Sequence, residues 1–287
     1  MTAPGSGQHD QDEFDGSTPE PPSYPQGFFV PAPGARQVLL IRHGQSAPYT
    51  PGKPFPLIDG HGDPHLTELG HYQAEMVGRR LASEPISKIY VSTLTRTHQT
   101  AAPLAAKLGF EPEVEPDVRE VFLGDAEGGL LREWFADGHP VARRIRATGE
   151  WGSIPNAETN AAFTERTVGA ITRIANRHED EMVAVFCHGG VIAAVLAFAA
   201  NTRLRSFTGA RHTSVNHLVI QRWPDHDAGD DSPEVAPAGT TFGGSNLDDH
   251  DWVIRSFNDA SHAGHLTGDH LPEQDFPSTH RHPPNSE

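Results

Sequence analysis

The stretch that decides the fold is VLLIRHGQS, Val38–Ser46, in which four apolar residues run directly into an arginine and a histidine. A short apolar run of this kind predicts a strand that is buried on both faces. Such a strand delivers its last side chains to one edge of a sheet, where a ligand can reach them. Arg42 and His43 are therefore the first candidates for a functional site.

Outward from this stretch, strand patterns alternate with helical patterns along the central part of the chain. In order we expect a strand at 38–41, a long Gly- and Pro-rich loop at 44–66, a helix from its N-cap Thr67 to about Leu81, a strand at 86–92, a helix that Gly109 ends, a short extended segment at 111–115, a helix over about 157–177, a strand and a buried helix within 182–200, and a strand at 214–223. This alternation predicts an α/β fold, a three-layer α/β/α sandwich with a mainly parallel sheet.

The charge of the 287-residue chain divides it into three parts. The formal net charge is −16, but residues 1–36 carry five acids and one arginine, and residues 223–287 carry 13 acids and two arginines. Residues 37–222 are nearly neutral and are long enough to form one domain with a single buried core. Residues 1–36 are rich in proline and predict a disordered tail. Residues 223–287 form an acidic, His-rich extension, in which the alternation of 251–258 predicts a strand that adds to the sheet or covers the site.

Several classes of function are disfavoured by composition. An acidic chain repels nucleic acid phosphates. The longest apolar stretch, VIAAVLAFAA, has ten residues and is too short to span a membrane, and the N-terminus lacks the pattern of a signal peptide. The single cysteine, Cys187, fits the reducing cytoplasm and packs as a small apolar residue on a predicted strand. The oligomeric state stays open, with a homodimer as one possibility.

Polar side chains follow three of the predicted strands. Arg42 and His43 follow the first, Ser92 and Arg96 the second, and His188 with Gly189 the strand near residue 187. Because ligands of such sheets bind beyond the carboxyl ends of the strands, we expect these residues to form one site. Arg96 also opens a predicted helix, where the helix dipole disfavours a cation unless an anion lies near.

Two arginines and two histidines together suit phosphoryl chemistry. Guanidinium groups are fixed donors for phosphoryl oxygens, and their charge favours neutral imidazoles beside them. A neutral His43 could attack phosphorus, while His188 and the arginines stabilise the charge on the phosphoryl oxygens. Glu120 is the candidate general acid, with Glu127 and Glu133 as alternatives nearby. The arginines supply the positive charge, so no metal or other cofactor is expected.

Five motifs in order resemble those of the histidine phosphatase superfamily, the phosphoglycerate mutase-like branch with the RHG motif: LIRHGQS (40–46), LTELGHYQA (66–74), VSTLTRTHQTA (91–101), VREVFLGDAEGG (118–129) and FCHGGVI (186–192). The resemblance extends over about residues 37–222. It implies a phosphoglycerate mutase-like fold, His43 as the phosphorylated nucleophile, Arg42, Arg96 and His188 as the phosphate pocket, and Glu120 as the proton donor. Gln45, Ser46 and Gly189 lie in the same motifs and are assigned to substrate binding.

The chain departs from the family pattern at four places. Tyr49 stands where the family often has an asparagine that reaches the phosphate, and Asp59-Gly60 stands for a Gln-Gly pair. Residues 124–157 lack the longer insertion of the mutases, and Gln45 replaces their usual glutamate. These differences favour hydrolysis, so the prediction is a metal-independent phosphomonoesterase acting on small phosphorylated metabolites.

Two other functions remain open on the sequence alone. One is a phosphoglycerate mutase-like phosphotransferase. The other is a non-catalytic protein that binds a phosphorylated ligand or, through tail histidines such as His262, His265 and His270, a metal. Arg143, Arg144 and Arg146 could line the substrate mouth or form a solvated helix face.

Overall fold

The computed structural model describes residues 26–222 and 250–263, and its contacts divide the chain at residue 30. Residues 26–30 contain no helix or strand. All elements below belong to the second unit. The strands are β1 (Arg36–Arg42), β2 (Leu57–Ile58), β3 (His61–Gly62), β4 (Ile86–Val91), β5 (Glu113–Val114), β6 (Met182–Cys187), β7 (Val215–Gln221) and β8 (Asp251–Asp259). The α-helices are α1 (Glu68–Leu81), α2 (Thr95–Leu108), α3 (Leu130–Ala136), α4 (Pro140–Thr148), α5 (Asn160–Ala175) and α6 (Gly189–Ala199).

The main sheet has six strands in the order β5-β4-β6-β1-β7-β8. The pairings among β5, β4, β6 and β1 are parallel, whereas β7 and β8 are antiparallel to their neighbours. The predicted α/β fold with a mainly parallel sheet is therefore confirmed. The alternating segment of the C-terminal extension forms the edge strand β8.

Side chains of β1 alternate between the two faces of the sheet and divide the core in two. Val38 and Leu40 pack with α5 and α6, whereas Leu39 and Ile41 pack with α1 and α2. Complete burial of an aliphatic side chain stabilises the fold by about 1.5–3 kcal/mol, so both faces hold β1 firmly. The strand that ends directly before His43 is thus a central, rigid element.

Two of the sequence-based boundaries differ from the structure. Residues 31–36, assigned to the tail, are bound to the folded unit, since Ala32 N donates to Gln221 Oε1 (3.0 Å) and Gly34 N to Asp180 Oδ1 (2.6 Å). The segment 44–66 is not only loop, because β2 and β3 form a hairpin. Its turn is Asp59-Gly60, with positive φ at both residues (48° and 82°). Asp-Gly is the sequence signal typical of such a two-residue turn.

The loop that follows β1 is fixed by α1 and α2. Gly44 N donates to Thr100 Oγ1 (3.0 Å), and Gln45 N donates to Gln73 Oε1 (2.9 Å). The backbones of the loop and α1 touch, because a Cβ on Gly70 would lie 2.1 Å from the carbonyl oxygen of Gln45. Hence the two helices hold the backbone on which His43 stands.

Candidate active site

The carboxyl ends of β1, β4 and β6 meet at one edge of the sheet, as predicted from the sequence. His43 N donates to the carbonyl oxygen of Cys187 (3.0 Å), and the rings of His43 and His188 lie 5.2 Å apart. Arg96 lies in the first turn of α2, and its positive charge lowers the pKa of both imidazoles. The structure therefore brings His43, His188, Arg42 and Arg96 together.

His43 is held in a form that suits a nucleophile. Its Nδ1 lies 2.7 Å from the carbonyl oxygen of Gly44, which can only accept a hydrogen bond, so Nδ1 carries the proton. Burial, and then the charges of Arg96 and Arg42, hold the pKa of His43 well below its ordinary value. The neutral ring thus keeps an unprotonated lone pair on Nε2.

His188 is completely buried, and one of its nitrogens is unpaired. Nε2 lies 2.9 Å from Ser92 Oγ, whereas Nδ1 has no hydrogen-bond partner among the described residues. Burial and the charge of Arg96 also hold the pKa of His188 well below its ordinary value. When the Ser92 hydroxyl donates to Nε2, Nδ1 carries a proton that can be donated to an oxygen of a bound ligand.

The two arginines are fixed by backbone carbonyl groups. Arg42 donates to the carbonyl oxygen of Ala210 (2.5 Å), and its buried Nε has no partner among the described residues. Arg96 donates to the carbonyl oxygen of Gly62 (3.0 Å). Burial lowers the pKa of Arg96 to about 10, so the group stays charged at neutral pH. Both guanidinium groups are preorganised to bind an anion.

The charge of Arg96 at the start of α2 is compensated by Asp63, which the sequence analysis missed. Asp63 Oδ1 accepts from Thr95 N (2.9 Å) and lies 3.7 Å from Arg96 NH1. The carboxylate therefore caps the helix and supplies an anion beside the arginine. The position of Arg96 at a helix start is consequently no evidence for a ligand on its own.

Glu120 is placed at the site, and the two alternative glutamates are bound elsewhere. Glu120 Oε2 accepts a hydrogen bond from Gly190 N (3.1 Å), and the negative charge of Glu120 raises the pKa of Arg42 and Arg96. The contact needs a glycine at 190, because a Cβ there would lie 2.2 Å from Glu120 Oε1. Glu127 accepts from Gly62 N and Leu123 N (2.7 and 2.8 Å) and braces the hairpin. Glu133 forms a side-chain hydrogen bond with Tyr49, which raises the pKa of the tyrosine.

The three residues assigned to substrate binding differ in their positions. Gly189 opens α6, and a Cβ there would lie 3.5 Å from Arg42 Nε, at ordinary contact distance. Ser46 Oγ accepts from Arg132 NH2 (3.1 Å). The side-chain oxygen of Gln45 accepts from Thr67 Oγ1 (2.7 Å), so its visible partner is the N-cap of α1 rather than a pocket residue.

Further side chains from loops and α3 complete the site. The ring of His212 lies 6.1 Å from that of His43. The positive charge of Arg132 on α3 lowers the pKa of Arg42, Arg96 and His212. Neither His212 nor Arg132 lies at the end of a predicted strand.

Other residues singled out in the sequence make contacts of their own. Tyr49 packs against Phe55, with ring centroids 6.0 Å apart. The exposed residues Arg143 and Arg146 bind carbonyl groups of the α3–α4 region.

The segment that carries His212 is braced by β8. Arg211 N donates to Asn258 Oδ1 (2.7 Å), and His262 Nε2 lies 3.2 Å from Thr213 Oγ1. Thr213 adopts a positive φ of 56°, which is rare for a β-branched residue. The C-terminal extension thus supports one wall of the site, and His265 and His270 lie outside the described residues.

The buried imidazoles make stability depend on pH. Burial, then the charge of Arg42, lowers the pKa of His212 to about 4, so the folded protein keeps this ring neutral while the unfolded chain protonates it near its ordinary value of about 6.5. The unfolded state therefore binds more protons as pH falls below about 6.5, and the free energy of unfolding decreases. Replacing His212 by Gln should make this dependence shallower by about 1 kcal/mol per pH unit between pH 6 and 4.5, because the unfolded chain binds slightly less than one proton more than the folded protein there.

Urea unfolding at several pH values measures this slope. The His98→Gln variant, changed at an exposed position of α2, is the matched control. An unchanged slope in the His212→Gln variant would show that the folded protein does not keep this ring neutral.

The family follows from comparison with known proteins. The sequence profile of the histidine phosphatase superfamily (branch 1) matches residues 38–226. The chain belongs to this superfamily. Its members include "Phosphoglycerate mutase-like protein 4" of Arabidopsis thaliana, 32% identical over 200 residues, covering 66% of this chain and 85% of the relative. "Metal-independent phosphoserine phosphatase" of the same plant is 32% identical over 195 residues, covering 65% and 78%.

The fold of the chain also matches solved structures. The mycobacterial glucosyl-3-phosphoglycerate phosphatase superposes with a TM-score of 0.61 at 23% identity, covering 78% of this chain and 99% of that protein. At this identity the likeness establishes the phosphoglycerate mutase-like fold. Within residues 26–222 and 250–263, no helix is long and apolar enough to cross a membrane. The same part of the chain has no group of three His, Cys, Asp or Glu side chains arranged to hold a metal.

Proposed function

We propose that the chain is a metal-independent phosphomonoesterase that acts on small phosphorylated metabolites through a phosphohistidine at His43. The observation that carries this proposal is the state of the His43 ring. It is neutral, its Nδ1 proton is bound to Gly44, and it lies beside a second neutral imidazole and two guanidinium groups. This arrangement leaves Nε2 free to attack phosphorus while positive charge surrounds the phosphoryl oxygens.

In the first step the Nε2 lone pair of His43 attacks phosphorus, and the bond from phosphorus to the ester oxygen breaks. Glu120 donates its carboxyl proton to the leaving oxygen, which departs as an alcohol. Arg42, Arg96 and the Nδ1 proton of His188 bind the three phosphoryl oxygens, whose charge must be stabilised in the transition state. The product is a phosphohistidine and a glutamate anion.

In the second step water attacks phosphorus, and Glu120 accepts one of its protons. The nitrogen–phosphorus bond breaks, the electron pair returns to His43, and inorganic phosphate leaves. Glu120 is then protonated and His43 neutral, so the site has returned to its starting state. The two arginines supply the positive charge in both steps.

One feature favours hydrolysis over phosphoryl transfer to a second metabolite. Residues 124–157 contain only the short α-helices α3 and α4, whereas the resemblance to the mutases implies a longer insertion at this place. Relatives in sequence include a protein named as a phosphoserine phosphatase and one named as phosphoglycerate mutase-like, and both names refer to small phosphorylated metabolites. Phosphorylated small molecules with a free phosphoryl end are therefore the proposed substrate class.

An assay with 3-phosphoglycerate separates the two reactions. With EDTA present, release of inorganic phosphate should exceed isomerisation to 2-phosphoglycerate, with or without added 2,3-bisphosphoglycerate. Isomerisation faster than phosphate release would make the chain a mutase. Activity that disappears with EDTA and returns with a divalent cation would contradict metal independence.

A further inference from the structure

His212 lies in the turn before β7, and hydrogen bonds from Arg42 hold this turn beside the nucleophile. The backbone N–H of Thr213 donates to the carbonyl oxygen of Arg42 (3.0 Å), and the Arg42 guanidinium donates to the carbonyl oxygen of Ala210 (2.5 Å). The segment that carries His212 is therefore bound on both sides to the residue that precedes His43. The centroids of the His212 and His43 rings lie 6.1 Å apart.

The ring of His212 is unlike the other buried and half-buried histidines of residues 26–222 and 250–263. In His212 neither ring nitrogen has a hydrogen-bond partner among the described residues, and neither is sealed from solvent. Each of the others has at least one ring nitrogen paired, namely His43, His61, His139, His178, His188, His217, His250 and His262. The site thus keeps one imidazole whose two nitrogens are both open to a ligand.

The backbone next to His212 is strained. Thr213 has a φ of 56°, which is unfavourable for a β-branched residue. Contacts from the C-terminal extension fix this conformation, since His262 Nε2 lies 3.2 Å from Thr213 Oγ1 and Asn258 Oδ1 accepts from Arg211 N (2.7 Å). Strain of this kind persists where surrounding contacts impose it, and it is frequent at functional sites. A role in the site would explain why the fold holds His212 in this position.

The protonation state of His212 suits a hydrogen-bond donor. Burial, and then the charge of Arg42, lowers its pKa to about 4, so the ring is neutral at pH 7 and one of its nitrogens carries a proton. Oxygens of an ionised phosphoryl group can only accept hydrogen bonds. A neutral donor also adds no charge to a site that already holds two guanidinium groups.

We propose that the ring N–H of His212 donates a hydrogen bond to an oxygen of the phosphoryl group that His43 receives. His212 is then a further phosphoryl-binding residue, which the loop before β7 and the C-terminal extension supply. This inference rests on the proposed function. A hydrogen bond to a charged group changes affinity by about tenfold or more.

Binding of inorganic phosphate to the full chain measures this contact without turnover. Calorimetry at neutral pH compares the wild type with His212→Leu, which removes the ring N–H, and with His212→Gln and His212→Asn, which restore an amide N–H near one ring nitrogen or the other. We expect His212→Leu to weaken phosphate binding by about tenfold or more. At least one amide variant should bind phosphate within about threefold of the wild type. His98→Leu, at an exposed position of α2, is the matched control and should bind as the wild type does.

A second measurement needs only the wild-type fold. In the chain labelled with nitrogen-15 histidine, saturating phosphate should shift the ring resonances of His212, which are assigned by their absence from His212→Asn. The ring resonances of His98 should stay in place. Unshifted His212 resonances at saturation would overturn the inference.

The binding data separate the inference from the proposed function. Wild-type affinity for phosphate in His212→Leu would overturn the inference, even in a chain that hydrolyses phosphomonoesters. So would equal weakening in all three variants, because the ring would then act through its shape. A wild-type chain that binds no phosphate would overturn it as well. The expected pattern of binding in a chain that hydrolyses no phosphomonoester would refute only the proposed function.

Discussion

His43→Ala is expected to lower kcat for the hydrolysis of 4-nitrophenyl phosphate by roughly 10⁴-fold or more, since loss of a nucleophile removes the covalent route. The two side chains next to it in the site, His188 and Cys187, are not prepared to replace it. The Nε2 of His188 is bound to Ser92, and burial raises the pKa of the Cys187 thiol, which keeps it protonated. Release of 4-nitrophenol in the presence of EDTA measures the effect.

The control for this variant is His98→Ala, which removes an exposed imidazole of α2. It should retain wild-type activity. Circular dichroism and thermal unfolding show whether each variant is folded. A folded His43→Ala variant that keeps activity within tenfold of wild type would contradict the assignment of the nucleophile.

Glu120→Gln is expected to have an effect that depends on the leaving group. For an alkyl phosphate such as glycerol 3-phosphate, kcat/KM should fall by about 10²–10³-fold, because an alkoxide needs a proton as it leaves. For 4-nitrophenyl phosphate the fall should be much smaller, since 4-nitrophenolate leaves without one. kcat/KM reports the first phosphoryl transfer, so the comparison isolates the acid step. Gln keeps the size of the side chain and its acceptor for Gly190 N.

Glu133→Gln is the matched control for this test. Glu133 was an alternative acid on the sequence, and its carboxylate acts on Tyr49 rather than on Arg42 or Arg96. Replacing Glu133 should change kcat/KM for either substrate by no more than about threefold, which corresponds to the loss of one surface hydrogen bond. Equal loss for both substrates in Glu120→Gln would exclude Glu120 as the proton donor to the leaving group.

Topology predicts the site residues that directly follow strands, whereas Glu120, on a loop, is found only through the family motif, and the loop residues Asp63 and His212 are missed. Arg42, His43 and His188 each follow a buried apolar run, and the carboxyl ends of parallel strands share one edge, so their convergence follows from topology. Asp63 and His212 stand in segments without periodicity, and their positions depend on the hairpin β2–β3 and on β8. Such placement is fixed only by tertiary contacts.

The antiparallel direction of β7 and the position of Arg132 show the same limit. A strand pattern does not contain its direction, which here is set by the path of residues 200–214 around the site. Arg132 lies on the seven-residue helix α3, which is too short for a clear hydrophobic period. Only its hydrogen bonds to Ser46 and Ala47 reveal that it packs on the loop that follows His43.

The central claim is that the phosphoryl group passes through His43, and trapping this intermediate tests it most directly. The Glu120→Gln variant is mixed with 4-nitrophenyl phosphate, because its second step lacks the base that activates water. The reaction is quenched in alkali, which preserves phosphohistidine, and the peptides are analysed by mass spectrometry. A phosphoryl group on His43 that appears within one turnover is the expected result. Steady release of phosphate with no phosphorylated histidine, or phosphorylation of another residue at the rate of turnover, would contradict the mechanism.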